Sequence, residues 1–160
     1  MTIKQGDKLP SGTLKIMGAD GPQNVTTEDF FAGRKVVLFA VPGAFTRTCS
    51  AKHLPGFVGH AGAILAKGVN AIACISVNDV FVMDAWGKDQ GVGDKVAMLA
   101  DGSAEFTRAL GLDADFSERG LGIRSQRYAM IVEDGTVTGL FVEAPGAYEV
   151  SAAEAVLATL

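Results

Sequence analysis

The chain has 160 residues, 48% of them hydrophobic, which suits one globular domain with a sizeable core. Its formal net charge is −4 with both signs interspersed, leaving no footprint for nucleic acid or a membrane surface. No apolar run approaches a bilayer span, Met1–Asp7 has no signal-peptide core, and two cysteines cannot build a disulfide framework. One domain over 1–160 in a reducing compartment, the cytoplasm, is therefore expected.

Residues 1–35 read as short strands and turns. Asp20–Gly21, flanked by Leu14, Ile16 and Val25, predicts a hairpin. Thr26–Phe31 predicts a capped short helix. Val36–Val41, β-branched and apolar, predicts the first central strand. Pro42–Gly43 then turns the chain, and a helix begins near Thr48, with Thr46 or Thr48 as cap. Pro55 falls in its second turn, where it cannot donate to the Ala51 carbonyl, so a kink is expected before the helix ends at Lys67–Gly68.

Val69–Val77 predicts a second buried strand, and Asn78–Asp79 caps a helix over Val80–Lys88. A short strand over Val96–Ala100 follows, then a helix over Ala104–Leu110 ended by Gly111, then a glycine-containing loop over 113–123. Tyr128–Val132 and Val137–Val142 flank Asp134–Gly135 as a hairpin. Ser151–Leu160 predicts a final helix with Ser151 as cap and Glu154 three residues on. Alternating units followed by an antiparallel pair give an α/β fold with a mixed central sheet flanked by helices.

The chemistry converges on Cys49. It sits where a strand's end feeds a helix N-terminus, among Thr46, Arg47, Thr48 and Ser50. Open backbone N–H groups and the positive end of the helix dipole converge at such a junction, which favours a thiolate. The bland alternative is a small buried hydrophobe. That alternative is the expected one for Cys74, mid-strand and 25 residues away, so there is no Cys-x-x-Cys dithiol. His53 follows Cys49 by four residues and could serve as the base of a cysteine hydrolase, although a polar residue on the flank of the kink is the simpler expectation. A zinc site of Cys49, His53 and His60 lacks a fourth ligand. Arg127, at the start of a predicted strand, either points into a site or is an edge charge. Gly91–Val92–Gly93 lacks the third glycine of a dinucleotide fingerprint, there is no Walker loop, and Pro55 stands where a phosphatase loop needs arginine. No cofactor is implied.

Pro42-x-x-x-Thr46-x-x-Cys49 resembles the peroxiredoxin active-site motif. Pro42–Thr46, His53–Phe57, Ser76–Asp79, Trp86–Gly87, Leu99–Asp101 and Arg127 extend the resemblance, to the type II, peroxiredoxin-five-like branch, over nearly the whole chain. The resemblance implies a thioredoxin-like fold, usually as a homodimer, that reduces hydrogen peroxide and alkyl hydroperoxides. It makes Cys49 the peroxidatic nucleophile, oxidised to a sulfenic acid. Pro42 shields it, Thr46 hydrogen-bonds peroxide and thiolate, and Arg127 orients the peroxide and stabilises the thiolate. Two departures stand out. Ala147–Ser151 holds no C-terminal resolving cysteine, and Arg47 replaces the usual proline. Cys74 resembles the second cysteine of members that use glutathione or glutaredoxin, so these, or thioredoxin, are the expected reductants. A non-enzymatic redox sensor is the remaining alternative.

Overall fold

A computed structural model describes residues 2–160. The N-terminal hairpin pairs β1 (Thr13–Gly18) with β2 (Gly21–Thr26), and Gly21 takes the left-handed conformation the tight turn requires. The Thr26 hydroxyl accepts from the Asp29 N–H and caps α1 (Thr27–Phe31). The central unit is β3 (Lys35–Ala40), α2 (Leu54–Leu65), β4 (Ala71–Ser76), α3 (Val80–Asp89) and β5 (Ala97–Ala100). Asp79 caps α3 by accepting from the Val82 N–H. The chain continues through α4 (Glu105–Leu110), β6 (Asp113–Phe116), β7 (Gly122–Ser125), β8 (Tyr128–Glu133), β9 (Thr136–Val142) and α5 (Ala153–Leu157).

The seven-stranded sheet runs β2-β1-β5-β4-β3-β8-β9, with β3, β4 and β5 parallel and the remaining pairs antiparallel. Strand alternation sends Val37, Phe39 and Val41 into one core and Val36, Leu38 and Ala40 into the other. The first core packs under α2, α3 and α5, and it holds both cysteines. The parallel strands place the Pro42–Thr48 loop at their C-terminal end, where a βα unit leaves its helix N-terminus open.

Three expectations need correction. The predicted loop over 113–123 holds β6 and the start of β7, an antiparallel pair joined through a short 3₁₀ turn. Asp113–Ala114–Asp115–Phe116 alternates exposed and half-buried positions with little apolar content, so its strand character comes from pairing rather than propensity. The final helix starts at Ala153, and Ser151 is not its cap, because the Ser151 hydroxyl donates to Glu143 instead. The kink expected at Pro55 takes the form of a π-turn over Cys49–His53, closed by the Leu54 N–H on the Cys49 carbonyl. Pro55 offers no N–H to Ala51, and widening the preceding turn relieves the clash.

Candidate active site

The loop after β3 is fixed from three sides. The Ala44 N–H donates to the Asn78 side chain at 2.9 Å, and the Ser76 hydroxyl donates to the same oxygen at 2.6 Å. Arg124 on β7 reaches back to the Pro42 carbonyl at 3.4 Å, so close that a Cβ on Gly43 would lie 2.9 Å from its guanidinium. Phe45 adopts a left-handed φ of 63°, which folds Thr46 back so that its hydroxyl donates to the Gly43 carbonyl at 2.7 Å. Neither Thr46 nor Thr48 caps the helix with its side chain; the first helical bond runs from the Ser50 N–H to the Thr46 carbonyl at 2.9 Å.

Cys49 therefore stands in the first turn of the helix, fully buried beneath this loop. Arg127, just ahead of β8, points inward: Nη2 donates to the Cys49 sulfur at 3.1 Å and Nη1 to His53 Nδ1 at 2.8 Å. A guanidinium presents its donors in a rigid fork, so one side chain meets both groups at once. The edge-charge alternative for Arg127 is excluded. Among the described residues, Arg127 is the side-chain donor to Cys49, and Thr46 makes no bond to the sulfur.

His53 closes the π-turn at the kink but is not a polar flank residue: it is fully buried, edge-on to Tyr148 with ring centroids 5.3 Å apart and beside Phe39 and Phe57. Its Nε2 lies 3.0 Å from the Ser151 carbonyl, which can only accept, so Nε2 carries the proton and Nδ1 is the acceptor for Arg127. Burial and the adjacent Arg127 cation push its pKa down from 6.5 to about 3. A base for Cys49 needs a free nitrogen aimed at the thiol, and that nitrogen is taken by Arg127, which removes the cysteine-hydrolase alternative.

His60 lies on α2 and donates from Nδ1 to the Gly56 carbonyl. Among the described residues no group of three or more His, Cys, Asp or Glu side chains is placed to hold a metal. Cys74, opposite Phe39 in the sheet, is fully buried; burial, with a smaller contribution from Cys49, pushes its thiol pKa well up. Both cysteines are free thiols.

A cavity of about 670 Å³ opens at this loop, lined by Pro42, Thr46, Arg47, Arg119, Arg127 and Glu143 among others. Arg119 lies over the Phe116 ring at 5.4 Å. Among the described residues, neither Arg47 nor Arg119 has a carboxylate within 4 Å. Sequence reasoning singled out Cys49, Thr46, Pro42, Arg127 and Arg47. It missed Arg119, Arg124, Glu143 and Ser151, which come from an unrecognised strand pair and an irregular strap and carry no local motif.

An α/β sheet with a buried thiol at a strand-to-helix junction, held by a guanidinium beneath a cavity, defines a thiol-dependent oxidoreductase. Residues 4–157 match the redoxin family. The chain is 56% identical to chloroplastic Peroxiredoxin-2E-2 of Oryza sativa subsp. japonica, over 99% of this chain and 73% of that one. It is 47% identical to Peroxiredoxin-2C of Arabidopsis thaliana, over 99% and 98%. Its backbone superposes on reduced Prx3 of Vibrio vulnificus with a TM-score of 0.96 at 54% identity, covering 99% of each chain. The chain belongs to the redoxin family as a type II peroxiredoxin, a thiol peroxidase with the thioredoxin-like fold.

Proposed function

We propose that Cys49 is the peroxidatic nucleophile, reducing hydrogen peroxide or an alkyl hydroperoxide to the corresponding water or alcohol. The observation that carries this reading is the 3.1 Å bond from Arg127 to the Cys49 sulfur beside a cavity lined by Pro42, Thr46 and Arg127. The Vibrio vulnificus relative has a structure in complex with hydrogen peroxide.

The Cys49 thiolate attacks the terminal peroxide oxygen. An S–O bond forms, the O–O bond breaks, and the departing oxygen leaves as hydroxide or alkoxide, which takes a proton from solvent. Sulfur loses two electrons and becomes a sulfenic acid. Arg127 donates to the thiolate and to the charge that develops on the peroxide oxygens. The Thr46 hydroxyl has spent its proton on Gly43, so it meets the peroxide as an acceptor for the peroxide O–H. Pro42, without an N–H, lines the approach without offering water a donor.

Re-reduction goes to a small anionic thiol such as glutathione, delivered directly or through glutaredoxin, with thioredoxin as the competing donor. The thiol displaces water from the sulfenic acid to give a mixed disulfide, and a second thiol then releases Cys49. The cavity volume suits a ligand of that size, and the unpaired Arg47 and Arg119 suit its carboxylates. Buried Cys74, with its raised pKa, is a poor resolving thiol. A reducing compartment suits two free thiols; two of the relatives are named chloroplastic, so that compartment need not be the cytoplasm. A homodimer would cover Phe45, in the loop after β3 and packed against Trp86 of α3, and Phe81 on α3, which are 54% and 65% accessible.

The test is peroxide turnover with glutathione, with glutathione plus glutaredoxin, and with thioredoxin, followed by intact mass. A glutathione adduct on Cys49 after one equivalent of peroxide is the expected product; a Cys49–Cys74 disulfide as the main product would overturn the resolution step. Arg47→Gln and Arg119→Gln should each slow the glutathione step by about threefold or more and flatten its salt dependence, leaving peroxide attack unchanged. Equal salt slopes in all three proteins would remove the arginines from reductant binding. Peroxide consumed without turnover in any thiol would favour a redox sensor.

A further inference from the structure

A guanidinium on a long side chain has many rotamers, and a 3.1 Å bond to one sulfur needs something to select among them. The hydrogen bonds around Arg127 close into a ring. Its Nη1 donates to His53 Nδ1, and His53 Nε2 donates to the Ser151 carbonyl. The Ser151 N–H and hydroxyl both donate to Glu143 Oε2, at 2.9 and 2.6 Å. The Glu143 N–H donates to the Arg127 carbonyl at 3.0 Å, which returns the ring to its starting residue.

Glu143 is the unusual member. The residue is 8% accessible and, among the described residues, its carboxylate has no Lys, Arg or His within 4 Å. Its charge is met instead by backbone: Glu149 N–H at 2.7 Å and Val150 N–H at 3.4 Å join the two bonds from Ser151. Four donors fold the 149–151 strap onto one carboxylate at the end of β9. Tyr148, in the same strap, donates to the Lys52 carbonyl and packs edge-on against His53. The strap thus fixes both the ring plane of His53 and the carbonyl that selects its Nε2–H tautomer. The opposite tautomer would turn an N–H toward Arg127 and break the Nη1 bond.

We propose that Glu143 is a positioning residue for the peroxidase reaction, which through Ser151 and His53 holds the Arg127 guanidinium against Cys49. The proposal rests on the reading of Cys49 and Arg127 given above. Glu143 also borders the cavity proposed for the reductant, but a carboxylate repels an anionic thiol, so its loss should slow the peroxide step and not re-reduction.

The experiment uses stopped-flow oxidation of Cys49 by hydrogen peroxide, followed by the fluorescence of Trp86. This is the one tryptophan, and its indole N–H donates to Ser50 beside Cys49. Re-reduction by glutathione is timed on the same samples. Glu143→Gln keeps one acceptor oxygen but loses the charge, and should slow oxidation about fivefold; Glu143→Ala should slow it by tenfold or more. His53→Phe should match Glu143→Ala. His53→Gln, whose amide can donate to Ser151 and accept from Arg127, should restore most of the rate. The double variant Glu143→Ala/His53→Phe should be no slower than either single, since both act through one chain of bonds. Re-reduction should slow by no more than about twofold in any of them, or quicken where the Glu143 charge is removed.

Additive losses in the double variant would overturn the proposal, as would equal slowing of oxidation and re-reduction, or oxidation within twofold of wild type in a folded Glu143→Gln. The last comparison decides the matter if Glu143→Ala does not fold. Cys49→Ser, run alongside, tests the underlying reading separately: peroxide consumption that survives it removes Cys49 as nucleophile, whatever the Glu143 variants do.

Discussion

Two thiols lie in one core within reach of each other's charge, yet their surroundings assign them different chemistry. Cys49 accepts a charge-assisted bond from Arg127, whereas Cys74 lies in a strand among apolar neighbours, where burial disfavours its thiolate. Thiolate, not thiol, attacks peroxide, so the proposed division of labour follows from the neighbours rather than from the residue type. Cys49→Ser should abolish peroxide reduction. Cys74→Ser places a hydroxyl in the core and should cost about 1–3 kcal/mol of stability while leaving Cys49 oxidation within about twofold. Denaturant midpoints and stopped-flow oxidation read the two effects separately. Loss of the oxidation step in a folded Cys74→Ser protein would reverse the assignment.

At the scale of elements, the π-turn begins at Cys49 and ends at His53, the two residues that Arg127 bonds. Pro55 removes one α-type donor and leaves the turn before it wide. Pro55→Ala restores an N–H that can pair with the Ala51 carbonyl, so a regular α-turn competes with the π-turn. The expected result is a protein at least as stable as wild type that oxidises about tenfold more slowly, because sulfur and guanidinium fall out of register. Unchanged oxidation in Pro55→Ala would show that the wide turn is incidental. The sequence made Pro55's effect visible as an irregularity but not its form, since widening and bending both answer a missing donor. The buried strands, the hairpin turns and the Cys49 junction were legible because apolar runs, Asp–Gly pairs and Pro–Gly breaks act locally. The β6–β7 pair was not, because short polar strands owe their existence to partners. Neither was the role of His53, Glu143 or Ser151: their ring closes over 98 residues of chain between His53 and Ser151, and no local spacing encodes it.

For the molecule as a whole, the buried imidazole links active-site geometry to acid stability. His53 has an ordinary pKa of 6.5 and is held down to about 3 in the folded protein, first by burial and then by Arg127. Below pH 6.5 the unfolded chain takes up a proton that the folded chain refuses, so stability is lost as pH falls, at up to about 1.4 kcal/mol per pH unit. Above 6.5 both states carry neutral imidazole and the dependence vanishes. Between pH 7 and 5 this single group should lower the unfolding free energy by about 2 kcal/mol. Glu143 works in a lower window. Burial would raise its carboxyl, but the bonds from Ser151, Glu149 and Val150 outweigh that and hold its pKa below 4.5. Its contribution is therefore present above the ordinary carboxylate range and lost in stronger acid, which leaves the interval from 5 to 7 to His53. Urea unfolding at pH 7 and pH 5 should show the loss in the wild-type protein, and His53→Gln, which cannot titrate, should remove it while keeping both hydrogen bonds. Within the fraction still folded at pH 5, His53 remains neutral and Arg127 stays in place, so the oxidation rate per folded molecule should not reflect loss of the Arg127–His53 bond. Equal pH slopes in wild type and His53→Gln would mean that the imidazole is hydrated and protonates in the folded state, and with it the tautomer assigned to the Arg127 partner would fall.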